Sequence, residues 1–350
     1  FTNMDGGAPE SPDALANEFR ANLKAVADVM REDEKLVAYL ADRLVAIGES
    51  VPESVDGFRL GTNGNPLSDA RLCDVSTYPK ELFKAPGEKA ANRNALATWG
   101  AWVNSFGATE YSQPVIIGAS ADLAGSTNLK GVGNGFGDFE GYGWYQRKGS
   151  PEGTLLPTEI TAFSNAGIVA SMTTVNFAQN PEEEFLGFYG ATSTYGSFSY
   201  LKYGPLRLYS QLAQDTPFRM GKFIWVAGHS GPETADDSRT HFGIFSPGVT
   251  QLFPQGRIIN LYPWEHNEVP VLLAAALGQD VPLIALHLTR PAIEIPDRDA
   301  LGMPSHMEAA RGAYVVRDCE ESAPRGGTIF VQGTSAMRSV TQLLPQLAAK

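Results

Sequence analysis

The sequence predicts an α/β fold, a parallel sheet with helices on both faces. Three observations lead there. Short runs rich in β-branched and aromatic residues recur at 115–117, 223–227, 258–261 and 283–288, each of buried-strand length. Stretches with helical spacing separate most of these runs, the alternation that builds a parallel sheet. Polar loops follow several of them, and such sheets carry their chemistry at the carboxyl ends of their strands.

In chain order, Ser11-Pro12-Asp13 reads as a helix start, and Leu15, Phe19, Leu23, Val26 and Met30 recur at helical spacing. A second helix should run to about Ile47, with Gly48 as its cap. Residues 49–88 are dense in Gly, Pro, Asn and Ser and should form a long connector over a domain surface. Alternation begins near Lys89. A helix from Ala90 to Phe106 leads to the strand Val115–Ile117. A glycine- and aromatic-rich loop covers 131–153, and a helix from about Thr158 carries Ile160, Phe163, Ile168 and Met172. Val269–Leu277 reads as a further helix. Thr328–Gln332 and the helix after it look like the first unit of another domain. The expected division is therefore 1–88 as helical segment and connector, 89–320 as the main domain, and 321–350 as the start of a carboxyl-terminal one.

Composition narrows the function. With 27 Lys and Arg against 39 Asp and Glu, the net charge is −12, which argues against a nucleic-acid surface. No apolar run reaches membrane-spanning length, and the first ten residues are no signal peptide. Cys73 and Cys319 fit no zinc or redox spacing and suit a reducing compartment, so a cytoplasmic location is expected. Phe1 as first residue points to a processed or partial chain.

The stretch Lys222–His241 draws attention first. A strand ends at Gly228, and the polar loop after it is bracketed by His229 and His241, with Asp236 and Asp237 between. Gly228-His-Ser230-Gly-Pro232 approaches the nucleophile elbow of an α/β serine hydrolase, but Pro232 replaces its last glycine and no apolar helical stripe follows. A metal site at His229, Asp236, Asp237 and His241 lacks any short ligand spacing. The glycines at 131, 133, 135, 137, 141 and 143 miss both nucleotide-binding fingerprints.

Four segments together are more specific. Gly118-Ala-Ser-Ala-Asp-Leu-Ala-Gly-Ser126 resembles the G-[GA]-S-A-D-L-x-x-S segment of transketolases. Thr192-Ser-Thr-Tyr-Gly-Ser-Phe198 resembles their aromatic cofactor-stacking segment. The loop His229…Asp237…His241 resembles their histidine-bearing loop, and Leu288-Thr-Arg290 their L-[ST]-R strand end. The resemblance spans about 89–334 and covers the pyrimidine-binding domain and the start of the carboxyl-terminal domain.

The resemblance implies the thiamine-diphosphate-binding fold and a transketolase of the pentose phosphate pathway. Such an enzyme moves a two-carbon ketol unit from a ketose phosphate to an aldose phosphate, using thiamine diphosphate with Mg²⁺ or Ca²⁺. By resemblance Glu159 is the glutamate beside the aminopyrimidine, a role suited to a sheltered carboxylate. Glu159 and His241 would stand at the reaction centre. Tyr195, Phe198, Leu201 and Asp122 match cofactor-binding positions; Leu201 falls where a further aromatic is common. Arg93, Ser126, His229 and Arg290 match phosphate-binding positions, and Asp237 and His241 match residues that bind sugar hydroxyls. His266, His287 and His306 have no such match.

One departure shapes the reading. The family's diphosphate and metal motif, G-D-G with a later asparagine, is absent; Gly137-Asp-Phe with Asn165 is the nearest stretch. The metal and diphosphate should therefore be held by a domain on another chain or fragment, giving a homodimer or heterotetramer. A naturally split enzyme and a proteolytic fragment both fit. A non-catalytic regulatory subunit that keeps the fold is the alternative from a different class.

Overall fold

A computed structural model of the chain describes residues 11–50, 63–121, 123–137, 143–228, 246–319 and 326–348. Contacts divide the chain into two units, 1–55 and 56–350. The first holds helices α1 (Pro12–Glu32) and α2 (Glu34–Ser50). Ser11 caps α1 by accepting the Ala14 N–H at 3.2 Å. Asp33 both ends α1 and starts α2: its N–H donates to the Met30 carbonyl, and its carboxylate accepts the Leu36 N–H at 3.0 Å. The second helix continues through Gly48 to Ser50, so that glycine is not the cap the sequence suggested.

In the second unit, four short 3₁₀ turns lie between Pro66 and Leu82. Asn65, Asp69 and Asp74 accept the N–H groups of Leu67, Arg71 and Ser76, so local side-chain bonds shape a stretch that lacks any period. Leu72, Tyr78 and Leu82 enter the main core. The described part of the expected surface connector is thus a layer of that core.

The elements that follow are β1 (Lys89–Ala90), α3 (Asn92–Tyr111), β2 (Ile116–Ser120), β3 (Leu155–Leu156), α4 (Ala162–Met172), β4 (Tyr189–Tyr195), α5 (Tyr203–Asp215), β5 (Phe223–Gly228), α6 (Ser246–Thr250), β6 (Ile258–Leu261), α7 (Glu268–Leu277), β7 (Leu283–His287), β8 (Ile293–Glu294) and α8 (Thr334–Ala348). Six strands form one parallel sheet in the order β3-β2-β4-β5-β7-β6, while β1 and β8 make a small antiparallel pair. Alternation along the strands sends Ile224, Val226, Ile284 and Leu286 to a core under α3 and α7. Phe223, Trp225, Leu283 and Ala285 point the other way, under α4 and α5.

Asn104 registers α3 on the sheet. Its enclosed amide oxygen accepts the Val115 and Ile116 N–H groups at 3.0 and 2.7 Å, and its NH₂ donates to the Ile116 and Val132 carbonyls at 2.9 and 2.6 Å. All four of its bonds are made. Gly131 permits the close approach beside it, since a Cβ there would lie 2.0 Å from the Ala97 carbonyl oxygen.

Three local expectations need correction. Strand β4, central and wholly buried, was not among the predicted runs, because Gly190-Ala-Thr-Ser-Thr194 lacks large apolar residues. The helix expected from Thr158 begins at Ala162, which leaves Glu159 in the loop ahead of it. The strand expected at 328–332 takes no regular structure, and Ile329 and Phe330 are exposed. A strand needs a neighbour to pair its backbone, and among the described residues none lies beside it. Helix α8 does form, and its Met337 and Leu344 pack with Trp264, Ile293 and Met303. Beside that cluster, buried Arg298 donates to Glu265 at 2.9 Å and to Glu268 at 3.0 Å.

Candidate active site

Parallel strands deliver their following loops to one edge of the sheet, and the sequence-predicted residues arrive there from neighbouring strands. Glu159 follows β3, Ser126 follows β2, Tyr195 ends β4, and Arg290 follows β7. Arg93 comes from the first turn of α3. Asp122, His229, Ser230, Asp236, Asp237 and His241 lie outside the described residues.

Three of these residues are joined by hydrogen bonds into a corner, and exposed Arg290 stands within electrostatic reach of it. Half-buried Arg93 donates through Nη1 to the Ser126 carbonyl at 2.9 Å. The Ser126 hydroxyl shares a 2.9 Å bond with the hydroxyl of buried Tyr195. Burial, and then the positive charge of Arg290, pull the Arg93 guanidinium below its ordinary pKa, while Tyr195 works in the opposite sense. Two like charges are therefore held within electrostatic reach of each other beside two hydroxyls. Such a corner is chemically matched to a phosphate, whose oxygens accept the planar N–H groups of a guanidinium in pairs.

Buried hydroxyls floor the corner. Thr127 lies 2.7 Å from Ser193 and 3.2 Å from Ser120, and Ser193 donates to Ser120 at 2.9 Å. They lock the β2 loop onto β4, so Ser126 and Tyr195 meet in fixed register.

Apart from Tyr195, the described residues that the resemblance matched to the cofactor are placed differently. Phe198 is half-buried, and Tyr200 and Leu201 are exposed, on the 3₁₀ turn Gly196–Lys202 after β4. Glu159 is also exposed; the loop around it is pinned by the enclosed Asn165, whose amide donates to the Glu159 carbonyl at 3.4 Å. The sheltered carboxylate expected from the resemblance is not sheltered by the described residues. Leu123, Ile160 and Phe163, on the same edge, are exposed too. These exposed side chains, on segments that follow β2, β3 and β4, are referred to as the apolar lip, a surface suited to a flat heteroaromatic covered by a second surface.

Sequence reasoning missed several contributors. Fully buried Lys202 donates to the Thr192 and Val226 carbonyls at 2.9 Å each and lies 5.8 Å from the Trp225 ring. It fastens the aromatic turn to β4 and β5. Tyr203 and Lys202 face inward on a tyrosine-rich segment, which gave no hint that a cation was among the buried groups. Asn92 and Thr289, each adjoining a corner arginine, were missed because their partners are distant in sequence. His287 is buried at the end of β7, stacked on Tyr262 at 4.5 Å; burial, with a contribution from Lys202, pushes it down to about 3. His266 is also buried and His306 half-buried, so both are packing residues. Among the described residues no group of three or more His, Cys, Asp or Glu could hold a metal.

No protein-family model matches the sequence, and neither does any curated protein. Solved structures do. Transketolase from Leishmania mexicana superposes with a TM-score of 0.52 at 18% identity, over 89% of this chain and 39% of that one. Transketolase from Pichia stipitis in complex with sedoheptulose 7-phosphate gives 0.50 at 21% identity, again over 89% and 39%. The chain has a transketolase-like fold. It spans about two fifths of the length of these transketolases. At such identity the likeness is one of fold, and the transketolase-like sheet is what carries the corner and the lip. No described helix is long and apolar enough to cross a membrane.

Proposed function

We propose that the chain is the pyrimidine-binding part of a transketolase, moving a two-carbon ketol unit from a ketose phosphate to an aldose phosphate. The observation that carries this reading is the corner of Arg93, Ser126, Tyr195 and Arg290 at the carboxyl edge of a transketolase-like sheet. Thiamine diphosphate, when bound, supplies the nucleophilic carbon for ketol transfer. Tyr195, Phe198 and Leu201 would line its pyrimidine, together with Asp122. Glu159 would hold a proton against the pyrimidine ring nitrogen. The two arginines and Ser126, with His229, would orient the sugar phosphate, and Asp237 and His241 its hydroxyls.

The diphosphate end needs a divalent metal and backbone donors to leave water. The described residues offer no metal cluster for it. A second chain or segment carrying that domain, in a homodimer or heterotetramer, would bind Mg²⁺ or Ca²⁺ and cover the apolar lip. The exposed Leu123, Ile160, Phe163 and Tyr200 support such a contact.

The test is reconstitution. The purified 350-residue chain should transfer no ketol unit from a ketose phosphate in thiamine diphosphate and Mg²⁺. Adding a chain that bears the diphosphate domain should restore transfer. Full turnover by the lone chain would overturn the two-part reading. Cofactor binding without transfer in the assembly would favour the non-catalytic subunit instead.

A further inference from the structure

Asn92 occupies an unusual place for a helix-start asparagine. The cap position of α3 is Ala91, which offers no side-chain bond, so the Asn92 amide is not spent on its own helix. It is 1% exposed and turned toward three other parts of the second unit. Its Oδ1 accepts the Thr289 N–H at 2.7 Å. Its NH₂ donates to the Pro263 carbonyl at 2.7 Å and lies 3.5 Å from Thr334 Oγ1. The Thr334 and Thr289 hydroxyls close the set with a 2.7 Å bond.

The sequence neighbours give this hub its meaning. Asn92 directly precedes Arg93, and Thr289 directly precedes Arg290. One enclosed side chain thus joins the backbone behind the first guanidinium to the backbone behind the second, across 197 residues of sequence. The tie works against a load, because the charge of Arg290 opposes the ionised form of Arg93. Two repelling cations, one in the first turn of α3 and one after β7, keep a set spacing only if something holds their stems, and an anion between them gains most when that spacing is set beforehand. A buried asparagine of purely structural use would serve equally well anywhere in the core. This one joins the backbone next to each of the two arginines.

We infer that Asn92 is a positioning residue, which with Thr289 and Thr334 sets the spacing of Arg93 and Arg290 for one phosphate group. The inference rests on the reading of that corner as a phosphate site. It also gives the first turn of α8 a task, since Thr334 steadies Thr289 from the carboxyl-terminal side.

A double-mutant cycle on the full chain tests this, with inorganic phosphate as the probe and calorimetry as the readout. Asn92→Ala should weaken phosphate binding about tenfold, the scale of one well-made hydrogen bond. In an Arg290→Ala background the same substitution should change affinity less than about twofold, because there is no longer a pair to space. Equal losses in both backgrounds would make Asn92 a general structural residue and end the inference while leaving the phosphate site intact. A wild-type chain that binds no phosphate would remove the corner itself, and the inference with it. Should Asn92→Ala fail to fold, Thr334→Val loses the hydroxyl bond to Thr289 and the longer contact with Asn92, leaves the Asn92–Thr289 bond in place, and runs through the same cycle. Its expected cost is about threefold, and this too should vanish without Arg290.

Discussion

Two adjoining parts of the carboxyl edge are built to different degrees. The corner proposed for phosphate is braced among the described residues: hydroxyls floor it, Arg93 reaches the Ser126 carbonyl, and Tyr195 is buried. The apolar lip beside it is half a site, with Glu159, Tyr200 and Leu201 exposed and Phe198 half-buried. A corner that must hold two like charges together needs rigid stems before any ligand arrives. A slot for a flat ring needs two walls, and the described residues supply one. On the proposed function, substrate recognition would lie within the chain and cofactor chemistry would depend on a partner.

The sharpest break in that comparison is at Glu159. In the assembled enzyme Glu159→Gln should cut exchange of the thiamine C2 proton by about 10²-fold or more, the scale of a lost proton-transfer group. Fold and most of the cofactor affinity should remain. Unchanged exchange would take Glu159 out of the lip's chemistry.

At the corner the effect is smaller and selective. Arg290→Ala and Arg93→Ala should each cost about 1.5–3 kcal/mol in kcat/KM for phosphorylated donors, a lost charged hydrogen bond. A donor without phosphate should be almost unaffected. Equal losses on both donors would turn the two arginines into structural groups.

At the end of β7, buried His287 makes stability depend on pH. In the folded chain it is held down to about 3 from an ordinary 6.5, so between those values the unfolded chain binds one proton more. Stability from this group is present above 6.5 and is lost as pH falls toward 3, by about 1.4 kcal/mol per unit. Urea unfolding at pH 7 and pH 5 should show His287→Gln losing less on acidification than the wild type. Parallel losses would mean that another group governs the acid side.

How legible this was in the sequence depends on where each signal lay. Strand β5 announced itself through Phe223-Ile-Trp-Val-Ala227, because a buried strand with large side chains is apolar throughout. Strand β4, equally buried, has only Gly, Ala, Ser and Thr between its terminal tyrosines, and α4 packs closely on it: a Cβ at Gly190 would lie 2.6 Å from a Val169 methyl. Composition there reads as loop. Arg93, Ser126 and Arg290 were visible only as part of a pattern of four segments, an isolated arginine being most often a surface charge. Asn92 carried no readable signal, since its three partners are 171, 197 and 242 residues away and only the folded chain brings them together.

The smallest expected effect refines the lip. Tyr200→Ala, on the exposed outer face of the aromatic turn, should leave the fold of the lone chain unchanged. It should weaken assembly with the diphosphate-bearing partner about threefold to tenfold, as at the edge of an aromatic-rich interface. Sedimentation of the mixed chains reads this, and unaltered assembly would move the contact away from that face.

One measurement bears most directly on the unequal building of corner and lip: calorimetric titration of the lone chain with a ketose phosphate, and separately with thiamine diphosphate and Mg²⁺. The sugar phosphate should bind, and its affinity should drop with Arg290→Ala, while thiamine diphosphate should give no tight complex until the partner is added. Tight thiamine diphosphate binding by the lone chain, with no response to the sugar phosphate, would contradict the account at its centre.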